Sequence, residues 1–162
     1  MFEENKKVVQ DWLDAVSGNE DQVWSSYLMM DNNAAWTLIG TTPASGRHET
    51  LKDIKDVFQH ACWHGDGRPG SYDQGLDPSY GVKPLKILEV TALEDGRVLV
   101  HCTSDCRGNN GVAYKNEYCW IIKVERGKIV DLYEFADTAL IERALFNKQI
   151  VPAEDYDKLA AQ

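Results

Sequence analysis

Two carboxylates, Glu134 and Asp137, lie in "LYEFADTALIERAL" (132–145), where an alternating run gives way to a helical one. A carboxylate at such a junction can serve in two ways. Burial disfavours its charged form and raises its pKa, which prepares it for acid–base work near neutral pH. At a helix start it accepts from the first free backbone N–H groups instead. In 128–135 the even positions hold Val130, Leu132 and Glu134. Glu134 thus shares a strand face with two aliphatic residues and is the acid–base candidate; a solvated strand end paired to a nearby Lys or Arg is the structural alternative. Asp137 directly precedes "TALIE" and reads first as an N-cap, with catalysis as the lesser reading.

Other polar groups fall in phase with apolar ones. On 114–124 the even set is Tyr114, Asn116, Tyr118, Trp120, Ile122 and Val124, whereas the odd set carries Lys115, Glu117 and Lys123. The even set is expected to face the core, with Asn116 and Tyr118 able to anchor or polarise a substrate oxygen within an aromatic wall. In 97–106 the apolar even set (Val98, Val100, Cys102) points inward, which sends His101 and Asp105 to the outer face unless a β-bulge reverses the phase. His101 is kept as an assisting candidate.

Metal and cofactor signatures are weak or missing. "HACWH" places His60, Cys62 and His64 at alternate positions, a spacing that serves a metal only on extended backbone. No metal site is expected. The four cysteines form no CxxC pair and read as free thiols of a reducing cytoplasm. "GDGRPG" follows a helix rather than a strand, so it lacks the context of a dinucleotide loop, and no other phosphate, zinc-protease or calcium motif occurs. No cofactor is expected.

The elements that must position these residues follow from periodicity. Val8, Val9, Trp12, Leu13 and Val16 form one helical stripe over 4–17, and Gly18 stops it. Asn19 caps a second helix with Val23, Trp24, Tyr27 and Leu28 inward; "DNN" (31–33) ends it, and "AAWTLI" (34–39) reads as a strand. After the turn "GTTPASG" a third helix places Leu51, Ile54, Phe58 and Ala61 on one face. Residues 63–82 have no periodicity and form either a lid or a solvated insertion. Four strands follow at 83–93, 97–106, 113–124 and 128–135, joined by tight turns into an antiparallel meander. Helices collected on one face of a sheet make an α+β fold.

With 162 residues, 43% of them hydrophobic and 27% charged, the chain suits one domain over 1–146 with an extension at 147–162 packed on the surface or across a dimer partner. The formal net charge of -9 opposes nucleic-acid and anionic-membrane partners. Charges are woven through the N-terminus, so a secretory signal is not expected there, and no run approaches the length of a membrane span. Cytoplasmic localisation is expected.

The order of elements, with "WTLIGTTPASGRH" and above all "GVAYKNEYCWIIKVERGKIVDLYEFADTAL", resembles the SnoaL-like, ketosteroid-isomerase-like branch of the nuclear-transport-factor-2-like superfamily over about residues 4 to 146. The resemblance implies a cone: a strongly curved antiparallel sheet wrapped by three N-terminal helices, with a short C-terminal helix, an apolar pocket and a homodimer through the sheet. It implies a cofactor-independent isomerase, dehydratase or hydrolase for a small apolar or aromatic molecule. A non-catalytic ligand binder and a homodimeric interaction domain are the alternatives. Glu134 matches the water-activating carboxylate of the family's epoxide hydrolases, but their Arg-x-Asp partners fall on His101 and Thr103. The ketosteroid isomerase base falls near Thr37 or Leu38 and its hydrogen-bonding acid near Trp120, so neither set is reproduced. Asp137 matches an acid/base position proposed in polyketide cyclases. The implied pocket wall is Trp12, Tyr27, Trp36, Leu38, Phe58, Trp63, Trp120, Leu132 and Phe135.

Overall fold

In the computed structural model of the chain, residues 2–18, 25–58, 76 and 85–149 are described. Helix α1 spans Phe2–Val16 and buries Val9, Trp12 and Leu13, the i, i+3, i+4 stripe that one helical face requires. Glu3 and Glu4 lie in its first turn, where negative charge suits the helix dipole. The middle helix expected over 19–28 falls mostly on residues outside the described ones. Its end turns as a 3-10 helix at Tyr27–Met29, which buries Tyr27 but leaves Leu28 75% exposed, contrary to its expected inward place.

Strand β1 runs Met30–Leu38, and so begins earlier than periodicity suggested. "DNN" does not end an element but bulges within this strand. The Asp31 carboxylate accepts from Asn33 N at 2.9 Å, and the pairing register shifts between Met30 and Ala35. The Asp side chain gives the backbone a local partner in place of a ladder bond. A short β2 (Gly46–His48) and helix α2 (Leu51–Phe58) follow, with Ile54 fully buried. Residues 63–82, expected as either a lid or a solvated insertion, lie outside the described residues apart from Leu76, which is buried and bridges to Gly108.

The meander forms as expected in β3 (Leu85–Ala92), β4 (Val98–Ser104), β7 (Glu117–Glu125) and β8 (Lys128–Ala136). A small hairpin of β5 (Cys106–Arg107) and β6 (Ala113–Tyr114) extends from it. The main sheet has the order β2-β1-β8-β7-β4-β3. It is curved, open and mixed, because β1 joins β8 in parallel while every other pair is antiparallel. A parallel pair needs a long crossover, and here the intervening α2 and meander supply it.

One face of this sheet carries the core. All six even residues from Tyr114 to Val124 are buried, as are Val98, Val100, Cys102 and Ser104. β8 departs from simple alternation. Lys123 pairs with Asp131 but Val124 with Ile129, so Val130 is an extra residue. The bulge turns Ile129 inward and moves Val130 off the face it was expected to share with Leu132 and Glu134. Helix α3 (Thr138–Leu145) then packs Ile141, Ala144 and Leu145 inward. Its last turn is held by the β5–β6 hairpin, where Asn110 Nδ2 donates to Arg143 O at 2.7 Å.

Candidate functional site

Glu134 is 4% exposed. It lies between Leu38 on β1 and Trp120 on β7, in the middle of the sheet rather than at a solvated strand end. Its Oε2 accepts from Trp36 Nε1 at 2.8 Å. Trp36 is level with Leu132, one diagonal step away, a span that a large aromatic side chain covers. A buried carboxylate stays ionised only with donors at hand, and the indole N–H is one.

Three indoles surround this corner. Trp12 and Trp36 have ring centroids 6.0 Å apart, Trp12 and Trp120 5.5 Å, and Trp36 and Trp120 6.1 Å, all in edge-on contact. Tyr118 tilts against Trp120 at 5.5 Å. Edge-to-face packing matches the positive ring edge to the negative face. The cluster shields Glu134 from water with apolar surface contributed by α1, β1 and β7. The Trp12 N–H meets no acceptor among the described residues, a deficit that ordinarily costs about 1–3 kcal/mol.

Asn116 and Tyr118 are buried where expected but are engaged differently. Asn116 Nδ2 donates to Tyr114 Oη and to Asp137 O, each at 3.2 Å. Its Oδ1 accepts from Glu117 N at 2.8 Å and Asp137 N at 2.9 Å. Both donors and both acceptor positions of the amide are thereby used. Asn116 ties the start of β7 to the corner between β8 and α3, so the side chain expected to anchor a substrate oxygen is engaged here within the fold. Tyr118 Oη donates to Tyr114 Oη at 2.9 Å and lies 3.3 Å from Ser104 Oγ. Its proton serves this buried polar chain, so the hydroxyl expected to contact substrate is hydrogen-bonded here within the fold. Tyr114 and Ser104 were not singled out from sequence, although both lie in the inward phase that could have marked them.

Asp137 is the N-cap of α3. Its Oδ1 accepts from Leu140 N at 3.0 Å and the residue is exposed, so the structure places it outside the cluster. His101 faces outward from β4, where Nε2 pairs with Glu117 Oε1 at 2.5 Å; it does not reach the cluster. Phe135, expected in the pocket wall, is 43% exposed on the outer face. Adjacent strand residues point to opposite faces, so the inward turn of Glu134 sends Phe135 out. Trp12, Tyr27, Trp36, Leu38, Trp120 and Leu132 are all buried in the core. The Phe58 side chain and Trp63 lie outside the described residues.

Among the described residues, no group of three or more His, Cys, Asp or Glu side chains could hold a metal ion. The "HACWH" run lies outside them. Cys102, Cys106 and Cys119 are free thiols. No described helix is long and apolar enough to cross a membrane.

No family model and no curated protein matches the chain. Solved structures do. One is an NTF2-like protein from Burkholderia thailandensis, at TM-score 0.66 and 17% identity, covering 90% of this chain and 98% of that one. A candidate SnoaL-like polyketide cyclase from Jannaschia matches at TM-score 0.65 and 12% identity, covering 91% of this chain and 94% of that one. A candidate isomerase from Bacillus subtilis matches at TM-score 0.65 and 16% identity, covering 93% and 98%. The chain has the nuclear-transport-factor-2-like fold, as its sequence implied.

Proposed function

We propose that this chain, built on the nuclear-transport-factor-2-like fold, is a cofactor-independent acid–base enzyme for a small, mostly apolar or aromatic molecule. The reaction is a proton transfer of the isomerase, dehydratase or hydrolase type, and Glu134 moves the proton. One observation carries this reading: a buried carboxylate held by an indole N–H within a wall of three tryptophans. Such sites are mainly apolar with a few placed polar groups. The names of two structural neighbours, a candidate isomerase and a candidate polyketide cyclase, support it.

In this reading Trp36 fixes the carboxylate through Oε2, and the surrounding rings exclude water that would compete for the proton. The test is a panel of small ketones, epoxides and hydroxylated ring compounds, assayed with wild type and Glu134→Gln. General acid–base groups contribute about 10²–10⁴-fold, and a loss of that size is expected. Full turnover by the Gln variant would remove Glu134 from the reaction.

A second reading, a non-catalytic binder of the same ligands, draws on the use of Asn116 and Tyr118 within the fold. A ligand recovered unchanged after tight binding would favour it. Both readings include a homodimer through the outer sheet face, where Tyr133 and Phe135 are exposed and flank the partly exposed Cys119 and Ile121. Sedimentation of wild type and Tyr133→Glu tests that assembly. The free thiols support a cytoplasmic location, and the net charge of -9 supports a small molecule rather than nucleic acid or membrane as partner.

A further inference from the structure

The turn between β7 and β8 consists of Arg126 and Gly127, with Glu125 paired to Lys128 across it. Both turn residues have positive φ, 52° at Arg126 and 74° at Gly127, the geometry of a type I′ turn. Glycine takes this conformation freely and asparagine at little cost, whereas an arginine there carries backbone strain. The fold offers no contact that explains the choice. Among the described residues the Arg126 guanidinium makes no hydrogen bond or ion pair, and it acts on Glu125 only through its charge.

Beside the turn lies a cleft of about 590 Å³ between the first turns of α1 and the end of β7. Small-molecule sites commonly fall between about 300 and 1,000 Å³. Val124, which is buried, and Val8, which is partly so, give the cleft an apolar floor, and exposed Glu4, Glu125 and Arg126 give it a charged rim. Asn5 also lines it; its Nδ2 donates to Gly96 O at 2.9 Å, which leaves the amide oxygen as an acceptor. The cleft shares no residue with the tryptophan cluster, and Val124 lies about 13 Å along β7 from Trp120 at the usual rise of a strand.

We propose that this cleft is a second binding site, for a free α-amino acid with a branched aliphatic side chain. The carboxylate of the ligand pairs with the Arg126 fork, a bidentate match. Its ammonium meets Asn5 Oδ1 and Glu125, whose carboxylate has acceptor capacity beyond its 2.6 Å pair with Lys123. Its side chain covers Val8 and Val124. Arg126 and Lys123 balance Glu4 and Glu125 around the cleft, and a zwitterion keeps that balance where a free acid or a free amine does not.

The test sets L-leucine against two analogues that each lack one charge: isocaproate, without the ammonium, and isoamylamine, without the carboxylate. Calorimetry gives the affinities, and methyl resonances of ¹³C-labelled protein give the location. Leucine should bind more tightly than either analogue and shift the Val8 and Val124 methyls. Arg126→Asn removes the guanidinium but suits the left-handed turn, so it should unfold no earlier than wild type. It should nevertheless bind leucine about ten- to a hundredfold more weakly, the worth of hydrogen bonds between charged groups. Arg126→Lys, which keeps the charge without the fork, should recover part of that loss.

A further readout needs no variant at the site. In ¹⁵N-labelled wild type the Arg126 Nε–H resonance, assigned by its loss in Arg126→Asn, should move with leucine and stay in place with isoamylamine. The site is overturned if leucine does not bind wild type, if it leaves that resonance or both valine methyls unmoved, or if Arg126→Asn binds it as well as wild type does. An analogue that matches leucine overturns the assignment of a zwitterion.

Discussion

Trp36 and Glu134, 98 positions apart in the chain, are joined by an indole-to-carboxylate hydrogen bond of 2.8 Å inside the core. The parallel pairing of β1 and β8 makes this contact, since it sets Trp36 beside Leu132 and within reach of the residue two further on. Everything proposed about chemistry here depends on that carboxylate being held in place.

Replacing Trp36 by Phe removes the donor but keeps a ring. A hydrogen bond to a charged group is worth about 1.5–3 kcal/mol, and a loss of that order is expected in urea unfolding. In a Glu134→Gln background the same substitution should cost less, since the bond to a neutral amide is worth about 1 kcal/mol. Equal costs in both backgrounds would show that the carboxylate gains nothing from Trp36.

Asn116→Ala leaves the backbone N–H groups of Glu117 and Asp137 without their partner and frees the Asp137 carbonyl. The expected cost is about 3 kcal/mol, from two or three unmet groups. A variant as stable as wild type but unable to bind ligand would restore Asn116 to the site.

Asp137→Ala removes a helix cap and should destabilise the fold by about 1 kcal/mol, while leaving turnover per folded molecule unchanged. Asp137→Asn, which keeps a capping oxygen, should recover most of that stability. A large loss of turnover with both would make Asp137 catalytic after all.

Gly108→Ala places a methyl group 2.1 Å from the carbonyl oxygen of Ala144, a backbone atom at the end of α3. The hairpin and helix must separate, at a cost of about 1–3 kcal/mol. Thermal unfolding would show it, and a neutral substitution would mean that the two elements do not touch in solution.

The Asp95 carboxyl is held below its ordinary pKa, chiefly by the Arg97 side-chain hydrogen bond and then by the Arg97 backbone N–H. A folded pKa below the unfolded one means that the stabilisation is present at neutral pH and is lost as pH falls through the folded value. The pair is on the surface, so salt should move the pKa back toward normal. An NMR titration at two salt concentrations checks both statements.

Much of this was legible because it is local. Period-two alternation marked every inward residue from Tyr114 to Val124, and a three-to-four spacing marked Trp12 and Leu13 on α1. The Asp137 cap needed only its immediate neighbours. Phe135 could have been placed outside by the same alternation, because it adjoins Glu134; the family resemblance had drawn it into the wall. Val130 could not, since its bulge appears only in the pairing with β7.

By itself, then, the sequence determined the α+β order and the core faces of the strands, properties of short segments and their periodicity, and offered the burial of Glu134 as one of two readings. Only the tertiary structure decided what the buried polar groups are for. Asn116 bonds to both the N–H and the carbonyl of Asp137, 21 residues away, Glu134 accepts from a tryptophan 98 away, and the Trp12 N–H meets no acceptor among the described residues. Hydrogen-bond partners come from wherever the chain returns, and periodicity holds no record of that.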